Sequence, residues 1–170
     1  ESIQWLKQAV RLQTDKPLGN PLLAAAFHAQ GKLNDSIQSY KTALLLKPDF
    51  IEALVSLGNV FQDRRDLPNA IESYRAVIAL EPTLAEGHNN LATALQAQGK
   101  LDDAIRSYER AIELKPSYAE AHCNLGTVFT ELGNNSAADM RFRVALSIDS
   151  EYADAHSNLG ILLFRRGELN

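Results

Sequence analysis

Residues 85–99 read AEGHNNLATALQAQG, and nearly the same fifteen residues return twice further along the chain. Residues 119–133 read AEAHCNLGTVFTELG and residues 153–167 read ADAHSNLGILLFRRG, so successive copies start 34 residues apart. Three prolines repeat at the same interval: Pro48, Pro82 and Pro116. A fixed period of about 20 to 50 residues indicates a repeat architecture, in which small units bury a core only by stacking on their neighbours.

Each unit is predicted to hold two helices. Packing residues recur at helical spacing from Ala85 to Leu95, and Gly99 follows as a left-handed cap. The second helix opens at Leu101 with acids in its first turn, and Pro116 prevents its continuation. Other units carry the same capping glycine: Gly31, Gly133 and Gly167. Arg65 takes that place in one unit, where either a left-handed backbone costs about 1 kcal/mol or the turn has another shape.

The period also aligns residues of one type. One column consists of small residues in the first helices: Ala24, Gly58, Ala92, Gly126 and Gly160. A column of large rings lies in the second helices: Tyr40, Tyr74, Tyr108 and Phe142. Two further columns of small residues lie in the second helices: Ser36, Ala70, Ala104 and Ala138, and then Ala43, Val77, Ala111 and Ala145. These columns resemble the tetratricopeptide repeat (TPR), whose unit is about 34 residues and two antiparallel helices. The resemblance implies an all-α, right-handed solenoid of antiparallel helix pairs, with the first helices lining a concave groove.

The resemblance extends over 1–170 as a single solenoid. Full repeats are assigned to 17–50, 51–84, 85–118 and 119–152, with a partial repeat's second helix at 1–14 and a partial repeat at 153–170. Trp5 is expected to be a core residue of the first partial repeat.

Three places break the pattern. Before Pro21 the chain should form an irregular loop over 14–19, with Asn20 as the helix N-cap. Asn135 and Asp139 replace the large apolar residues of the other second helices, so this helix should pack more weakly on the following one. Leu162, Leu163 and Phe164 should lie in an unpartnered last helix, as in a fragment of a longer array or in a chain that dimerises through this end.

A column of asparagines is the main functional signal. Asn90, Asn124 and Asn158 stand at equivalent places, where Leu22 and Ser56 stand in the earlier copies. In the family this place faces the groove, together with positions 2, 5, 9, 12 and 13 of the repeat. The amides resemble the asparagine ladder in the repeat arm of O-linked N-acetylglucosamine transferases, which grips peptide backbones. The alternative is that they only tie neighbouring repeats together or face water.

A column of acids accompanies the asparagines at the start of each first helix: Glu52, Glu86, Glu120 and Asp154. On a groove lip it would favour a neutral or basic segment, and the alternative is a favourable charge in the first helical turn. A chaperone-tail clamp is disfavoured, because Asn59 and Asn90 match its asparagines while Val55, Asn89 and Cys123 stand at its cationic places.

Other chemistry is disfavoured by the sequence. The net charge of −4 and the absence of a long Lys/Arg run argue against nucleic acid, and no apolar stretch approaches the roughly 18 residues of a membrane span. His88, His122 and His156 lie one per repeat, about 10 Å apart, too far for one metal ion. Neighbouring His122 and Cys123 point in different directions, so no nucleophile pair, catalytic residue or cofactor is expected.

The sequence therefore predicts a protein–protein interaction scaffold that binds a partner's peptide in the groove. The candidate contact residues are Asn59, Asn89, Asn90, Thr93, Asn124, Thr127 and Asn158, with Glu86 and Glu120. Two alternatives are the substrate-recruiting arm of a larger enzyme, such as a glycosyltransferase with a catalytic domain beyond Asn170, and a self-associating homo-oligomer. A single cysteine and the lack of a signal-peptide pattern favour a cytoplasmic location.

Overall fold

The computed structural model describes residues 19–167, and within that range the regular structure is entirely helical. The helices of this range are α1 (Gly19–Ala29), α2 (Leu33–Leu46), α3 (Ile51–Asp63), α4 (Leu67–Leu80), α5 (Ala85–Ala97), α6 (Leu101–Leu114), α7 (Ala119–Glu131), α8 (Asn135–Ile148) and α9 (Ala153–Arg165). Odd-numbered helices are the first helices of the predicted pairs and even-numbered ones are the second. The all-α class and the helix pairs are confirmed.

The start of the first pair differs from the sequence prediction. Helix α1 begins at Gly19, one residue before the predicted cap Asn20, so Pro21 lies at the third helical position rather than the first. Proline is tolerated there because the first turn needs no intrahelical N–H donor. The rest of the predicted loop, the partial repeat at 1–14 and Trp5 lie outside the described residues.

The helices fall into two compact units, the first ending at Pro82 and the second beginning at Thr83. In the first unit, α1 packs on α2, α2 on α3 and α3 on α4. The backbones approach closely at the predicted small residues: the buried Ser36 hydroxyl donates to the Ala24 carbonyl over 2.8 Å. A Cβ atom on Gly58 would lie 2.5 Å from Tyr74 Cε1, so any larger residue would require that ring to move.

The second unit repeats this packing across α5 to α9, with each helix contacting the next within each pair and between pairs. Its carboxyl-terminal core is built from small residues around one ring and one leucine: Cys123, Ala138, Phe142, Ala145, Ala155 and Leu162. Leu162 is therefore buried, which corrects the prediction that it lies in an unpartnered helix face. Phe164, by contrast, is 70% exposed.

Helix α8 places its two polar substitutions in different environments. Only Asn135 is exposed, whereas Asp139 is half-buried: its Oδ2 accepts a hydrogen bond from Arg143 Nε over 2.8 Å and its Oδ1 is buried without a partner in the described part of the chain. The Asn134 side chain caps the helix by accepting from the Ala137 N–H. Capping contributes about 1 kcal/mol but does not replace apolar burial. Weaker packing of α8 on α9 stays a prediction, which hydrogen exchange of the second helices would test.

Arg65 adopts the left-handed backbone of the glycine it replaces. Its φ is 62°, against 71° to 78° for Gly31, Gly99, Gly133 and Gly167. The Asp66 N–H donates to the Phe61 carbonyl over 2.8 Å, and the matching bond after Gly99 is 2.9 Å. The turn therefore has the same shape as in the other repeats. Of the two alternatives predicted from the sequence, the chain adopts the strained left-handed backbone and not a turn of another shape.

Replacing Arg65 with glycine is expected to raise the free energy of unfolding by about 1 kcal/mol, because the left-handed penalty of the arginine is removed. The matched control is Gly31→Ala in the same unit, which introduces that penalty and should lower stability by about 1 kcal/mol. Urea unfolding followed by circular dichroism measures both. A less stable Arg65→Gly variant would contradict this explanation.

Candidate functional site

The first helices of the second unit each present one stripe of accessible side chains. The spacing of four, three and four residues places the members of each stripe on one helical face: Glu86, Asn90, Thr93 and Ala97 on α5; Glu120, Asn124, Thr127 and Glu131 on α7; Asp154, Asn158, Ile161 and Arg165 on α9. None of these residues is fully buried. The three stripes are called here the first-helix face.

Two of the predicted asparagines bond back to the preceding first helix. Asn124 Nδ2 donates to Asn89 Oδ1 over 3.3 Å, and Asn158 Nδ2 donates to Cys123 Sγ over 3.6 Å. Within residues 19–167 neither side-chain amide makes another hydrogen bond. The predicted tie between repeats is therefore present, and it leaves each amide with an acceptor oxygen and one N–H to offer a ligand.

Asn89 and Asn90 occupy different environments. Asn89 is only 1% exposed, and its Nδ2 donates to Glu120 Oε1 over 3.1 Å while its Oδ1 accepts from Asn124. It was predicted as a groove residue, but its place is behind the first-helix face, where it positions the two side chains that it bonds. Asn90 is half-buried and makes no side-chain hydrogen bond within the described part of the chain.

A polar network spans the space between α5 and α7. The Tyr108 hydroxyl lies 3.0 Å from Thr93 Oγ1 and donates to Gln96 Oε1 over 3.0 Å. Gln96 Nε2 then donates to Thr127 Oγ1 over 3.3 Å and to Glu131 Oε1 over 2.5 Å. The sequence reasoning missed Gln96. Its signal was a long amide side chain at one of the groove positions, a place that Thr130 fills in the next repeat.

Burial raises the pKa of Tyr108 to about 12, and the nearby Glu120 and Glu131 carboxylates act in the same direction. In the unfolded chain this hydroxyl ionises near 10, so between about pH 10 and 12 the unfolded state loses the proton first. Stability from this group is complete below pH 10 and is lost as the pH rises through that window.

Tyr108→Phe is therefore expected to weaken the alkaline loss of stability. Between about pH 10 and 12, its free energy of unfolding should fall by about 2 kcal/mol less than that of the parent. Urea unfolding at a series of pH values measures the difference, with Tyr40→Phe as the matched control because Tyr40 is the equivalent buried ring of the first unit. Parallel pH profiles for Tyr108→Phe and the parent would contradict the assignment.

The equivalent space between α7 and α9 is open. A recess of about 240 Å³ is lined by Thr127, Thr130, Glu131, Phe142, Asn158, Ile161, Leu162 and Arg165. Thr130 is shorter than the glutamine at its equivalent place, and its hydroxyl donates to the Gly126 carbonyl within α7 over 3.0 Å. Phe142 has no hydroxyl, so the floor of the recess lacks the hydrogen bonds that Tyr108 makes.

The first unit has its own recess, of about 370 Å³, between α1 and α3. It is lined by Ala25, His28, Ala29, Tyr40, Ser56 and Asn59. His28 Nε2 lies 2.6 Å from Asp63 Oδ2, and this contact has the same 35-residue spacing as the Gln96–Glu131 bond. Asn59, predicted as a contact residue, is exposed, but its Oδ1 accepts from the Tyr74 hydroxyl over 2.6 Å.

His122 and Cys123 are buried, and His122 and His156 each contact a backbone carbonyl. His122 Nε2 and the Pro116 carbonyl are 3.1 Å apart, and burial lowers the pKa of that imidazole. His156 makes the same contact with the Ser150 carbonyl at 2.8 Å. Burial raises the pKa of the Cys123 thiol, which disfavours the nucleophilic thiolate. Over 19–167, no cluster of three potential ligands could hold a metal ion, and no helix is long and apolar enough to cross a bilayer.

The comparisons with known proteins agree with the fold. A crystal structure of MamA is 28% identical, with a TM-score of 0.75 and 85% of each chain covered. A MamA structure from Desulfovibrio magneticus RS-1 is 20% identical, with a TM-score of 0.80, covering 89% of this chain and 85% of that one. YrrB, described as a TPR protein with an unusual peptide-binding site, is 20% identical, with a TM-score of 0.72, covering 96% of this chain and 84% of that one.

The two likenesses of 20% identity support the fold alone. A comparison with curated protein sequences gives no match. The family model for the TPR repeat matches residues 24–64, 58–99 and 94–133, which together span more than half of the chain. The chain therefore belongs to the TPR repeat family and has the architecture of a protein-interaction scaffold.

Proposed function

We propose that the first-helix face of the second unit binds an extended peptide segment of a partner protein, held through its backbone by Asn124 and Asn158. The observation that carries this proposal is the pair of back-bonds over 3.3 and 3.6 Å, which orient both amides and leave an oxygen and an N–H of each free. A peptide backbone offers the complementary carbonyl and N–H at every non-proline residue.

Preorganisation makes this binding effective. A freely rotating asparagine loses side-chain entropy when it binds, whereas an amide already held by its neighbour loses less. Asn89 contributes by bonding to both Glu120 and Asn124, so it supports the face without touching the ligand. Asn90, Thr93 and Thr127 extend the same face and are proposed as further contacts.

The charge of the face favours a neutral or basic segment. Glu86, Glu120 and Asp154 are exposed at the amino-terminal ends of α5, α7 and α9. They also stabilise the helix dipoles, and this role is compatible with attracting a cationic partner. Peptide binding by a TPR protein of similar fold, YrrB, supports the class of ligand. Asn59 is proposed as a contact of the first unit's own recess.

The test is selection from a random peptide library displayed on phage, using the whole chain as bait. Enriched peptides are then measured against the double variant Asn124→Ala/Asn158→Ala, which should bind about tenfold more weakly because two backbone hydrogen bonds are lost. Asn135→Ala, an exposed asparagine on α8, is the matched control and should bind like the parent. Circular dichroism melting checks that each variant is folded.

Two results would contradict the proposal. One is that no peptide is enriched over a bait-free selection. The other is that enriched peptides bind the double variant as tightly as the parent, which would leave the asparagines with only their role between repeats.

A further inference from the structure

We infer that the recess between α7 and α9 is a specificity pocket that takes one apolar side chain of the bound peptide. This inference rests on the proposed function, because the peptide backbone must lie along the first-helix face for a side chain to enter. It adds what the asparagines do not supply, since amides that grip the backbone select no sequence.

The reason for the pocket is a difference between two consecutive repeats. Between α5 and α7, Gln96 fills the space and is held by Tyr108, Thr127 and Glu131. Between α7 and α9, Thr130 stands at the place of Gln96 and Phe142 at the place of Tyr108. Ile161 and Arg165 also stand where Thr127 and Glu131 accept from Gln96, so the polar contact of the preceding repeat is replaced here by a recess.

The recess has an apolar floor and an apolar wall. Phe142 and Leu162 are each 1% exposed and form the floor, while Ile161 on the wall is 50% exposed. Phe164, three residues after Ile161 on the same helical face, leaves further apolar surface beside it. Covering these side chains removes apolar surface from water, which favours a complex.

The size of the recess indicates a side chain rather than a free small molecule. Its volume of about 240 Å³ is below the roughly 300 to 1,000 Å³ typical of small-molecule sites. One branched aliphatic or aromatic side chain fits this volume. Asn158 stands at the rim, so the residue that enters the recess is one whose backbone that amide can hold.

Charge complementarity identifies the neighbours of this anchor residue. Glu120, Glu131 and Asp154 lie on the two stripes that flank the recess, against the single cation Arg165 on those stripes. The charged lining of the recess itself is balanced, Glu131 against Arg165. The net acidity comes from Glu120 and Asp154 in the first turns of α7 and α9, so a neutral or basic residue is favoured on that side of the anchor. The occupant is an extended partner segment with one large apolar residue in a neutral-to-basic context.

The experiment fills the recess with the larger side chains of the preceding repeat. The double variant Thr130→Gln/Phe142→Tyr supplies that glutamine and that tyrosine, and the new hydroxyl can donate to the glutamine oxygen as Tyr108 does to Gln96. Ile161 and Arg165 stand where Thr127 and Glu131 accept from Gln96, so the filling depends on side-chain volume and on this one hydrogen bond. Thr42→Gln is the matched control, because the Thr42 hydroxyl bonds to a carbonyl four residues back as Thr130 does, but in the first unit. Parent, variant and control are panned against the same random peptide library.

The parent and Thr42→Gln should enrich peptides with a large apolar residue at one position. The double variant should bind those peptides at least about tenfold more weakly, while peptides with that residue changed to alanine should bind parent and variant alike. A contrary result is that enriched peptides lose binding to Asn124→Ala/Asn158→Ala yet bind Thr130→Gln/Phe142→Tyr with the same apolar preference as the parent. That result would overturn the pocket and leave the proposed function intact. A library with no enriched peptide at all would overturn both.

Discussion

Replacing Gly126 with leucine is expected to lower the free energy of unfolding by about 2 kcal/mol. A Cβ atom at this position would lie 2.6 Å from Phe142 Cε1 and 2.8 Å from Cδ1, and the ring is buried in the core of the second unit. Overpacking of this kind costs about 1 to 3 kcal/mol, and leucine regains nearly 1 kcal/mol through its better helix propensity. Because the remaining leucine atoms also need room, the upper part of the overpacking range applies.

Gly160 gives the matched control, since it stands at the equivalent place in α9. A Cβ there would meet nothing within 4 Å in the described part of the chain, so Gly160→Ala should raise stability by up to about 1 kcal/mol. Urea unfolding of both variants and the parent, followed by the helical circular dichroism signal, makes the comparison. A Gly126→Leu variant as stable as the parent would mean that α7 and α8 can separate without cost.

The sequence predicted the fold well because the determinants of helix pairs are local and repeat. Gly99 and its equivalents mark the turns, and a left-handed φ at each follows from the conformational freedom of glycine. The small residue beside each ring could also be predicted, because close helix approach excludes a side chain at that place. The turn at Arg65 was ambiguous, because an arginine can either adopt the strained left-handed conformation or force a turn of another shape. Only the observed backbone, with φ of 62°, distinguishes the two.

The candidate site was less predictable because it depends on side-chain reach across two repeats. Asn89 and Asn90 are adjacent in sequence, yet one is buried and bonds across to α7 while the other is half-buried. Helical spacing places both near the groove, and a difference of about 100° around the helix separates their roles. The hydrogen bond that Asn124 donates likewise requires an acceptor on the preceding first helix. That acceptor, Asn89, stands at a different position of the repeat, so comparing one repeat position at a time does not predict the bond.

The recess between α7 and α9 was missed for a related reason. Column analysis treats Tyr108 and Phe142 as the same large ring, and it correctly predicts that both are buried. The hydroxyl of Tyr108 holds Gln96 in the space above it, whereas Phe142 lacks that hydroxyl and Thr130 stands in place of the glutamine. Function in this repeat array therefore depends on small departures from the consensus, whereas the fold depends on the consensus itself.

Phe142→Ala is expected to lower the free energy of unfolding by about 3 kcal/mol or more. Truncation of a buried phenylalanine costs about 3 to 5 kcal/mol, and this ring contacts the core cluster that joins α7, α8 and α9. In a stacked array the loss weakens interfaces on both sides of α8, because stability is approximately a sum of repeat and interface terms. The recess gains volume and admits water, which keeps the cost toward the lower end of that range.

Phe164→Ala is the matched control, because the same change is made on α9 at a side chain that is 70% exposed. Its stability should stay within about 0.5 kcal/mol of the parent. The pair also separates folding from binding, since Phe164→Ala keeps the core yet removes apolar surface beside the proposed pocket, so peptide affinity should fall while urea unfolding is unchanged. Equal stability losses in the two variants would instead mean that Phe164 is covered in solution, and that α9 has a partner on that face.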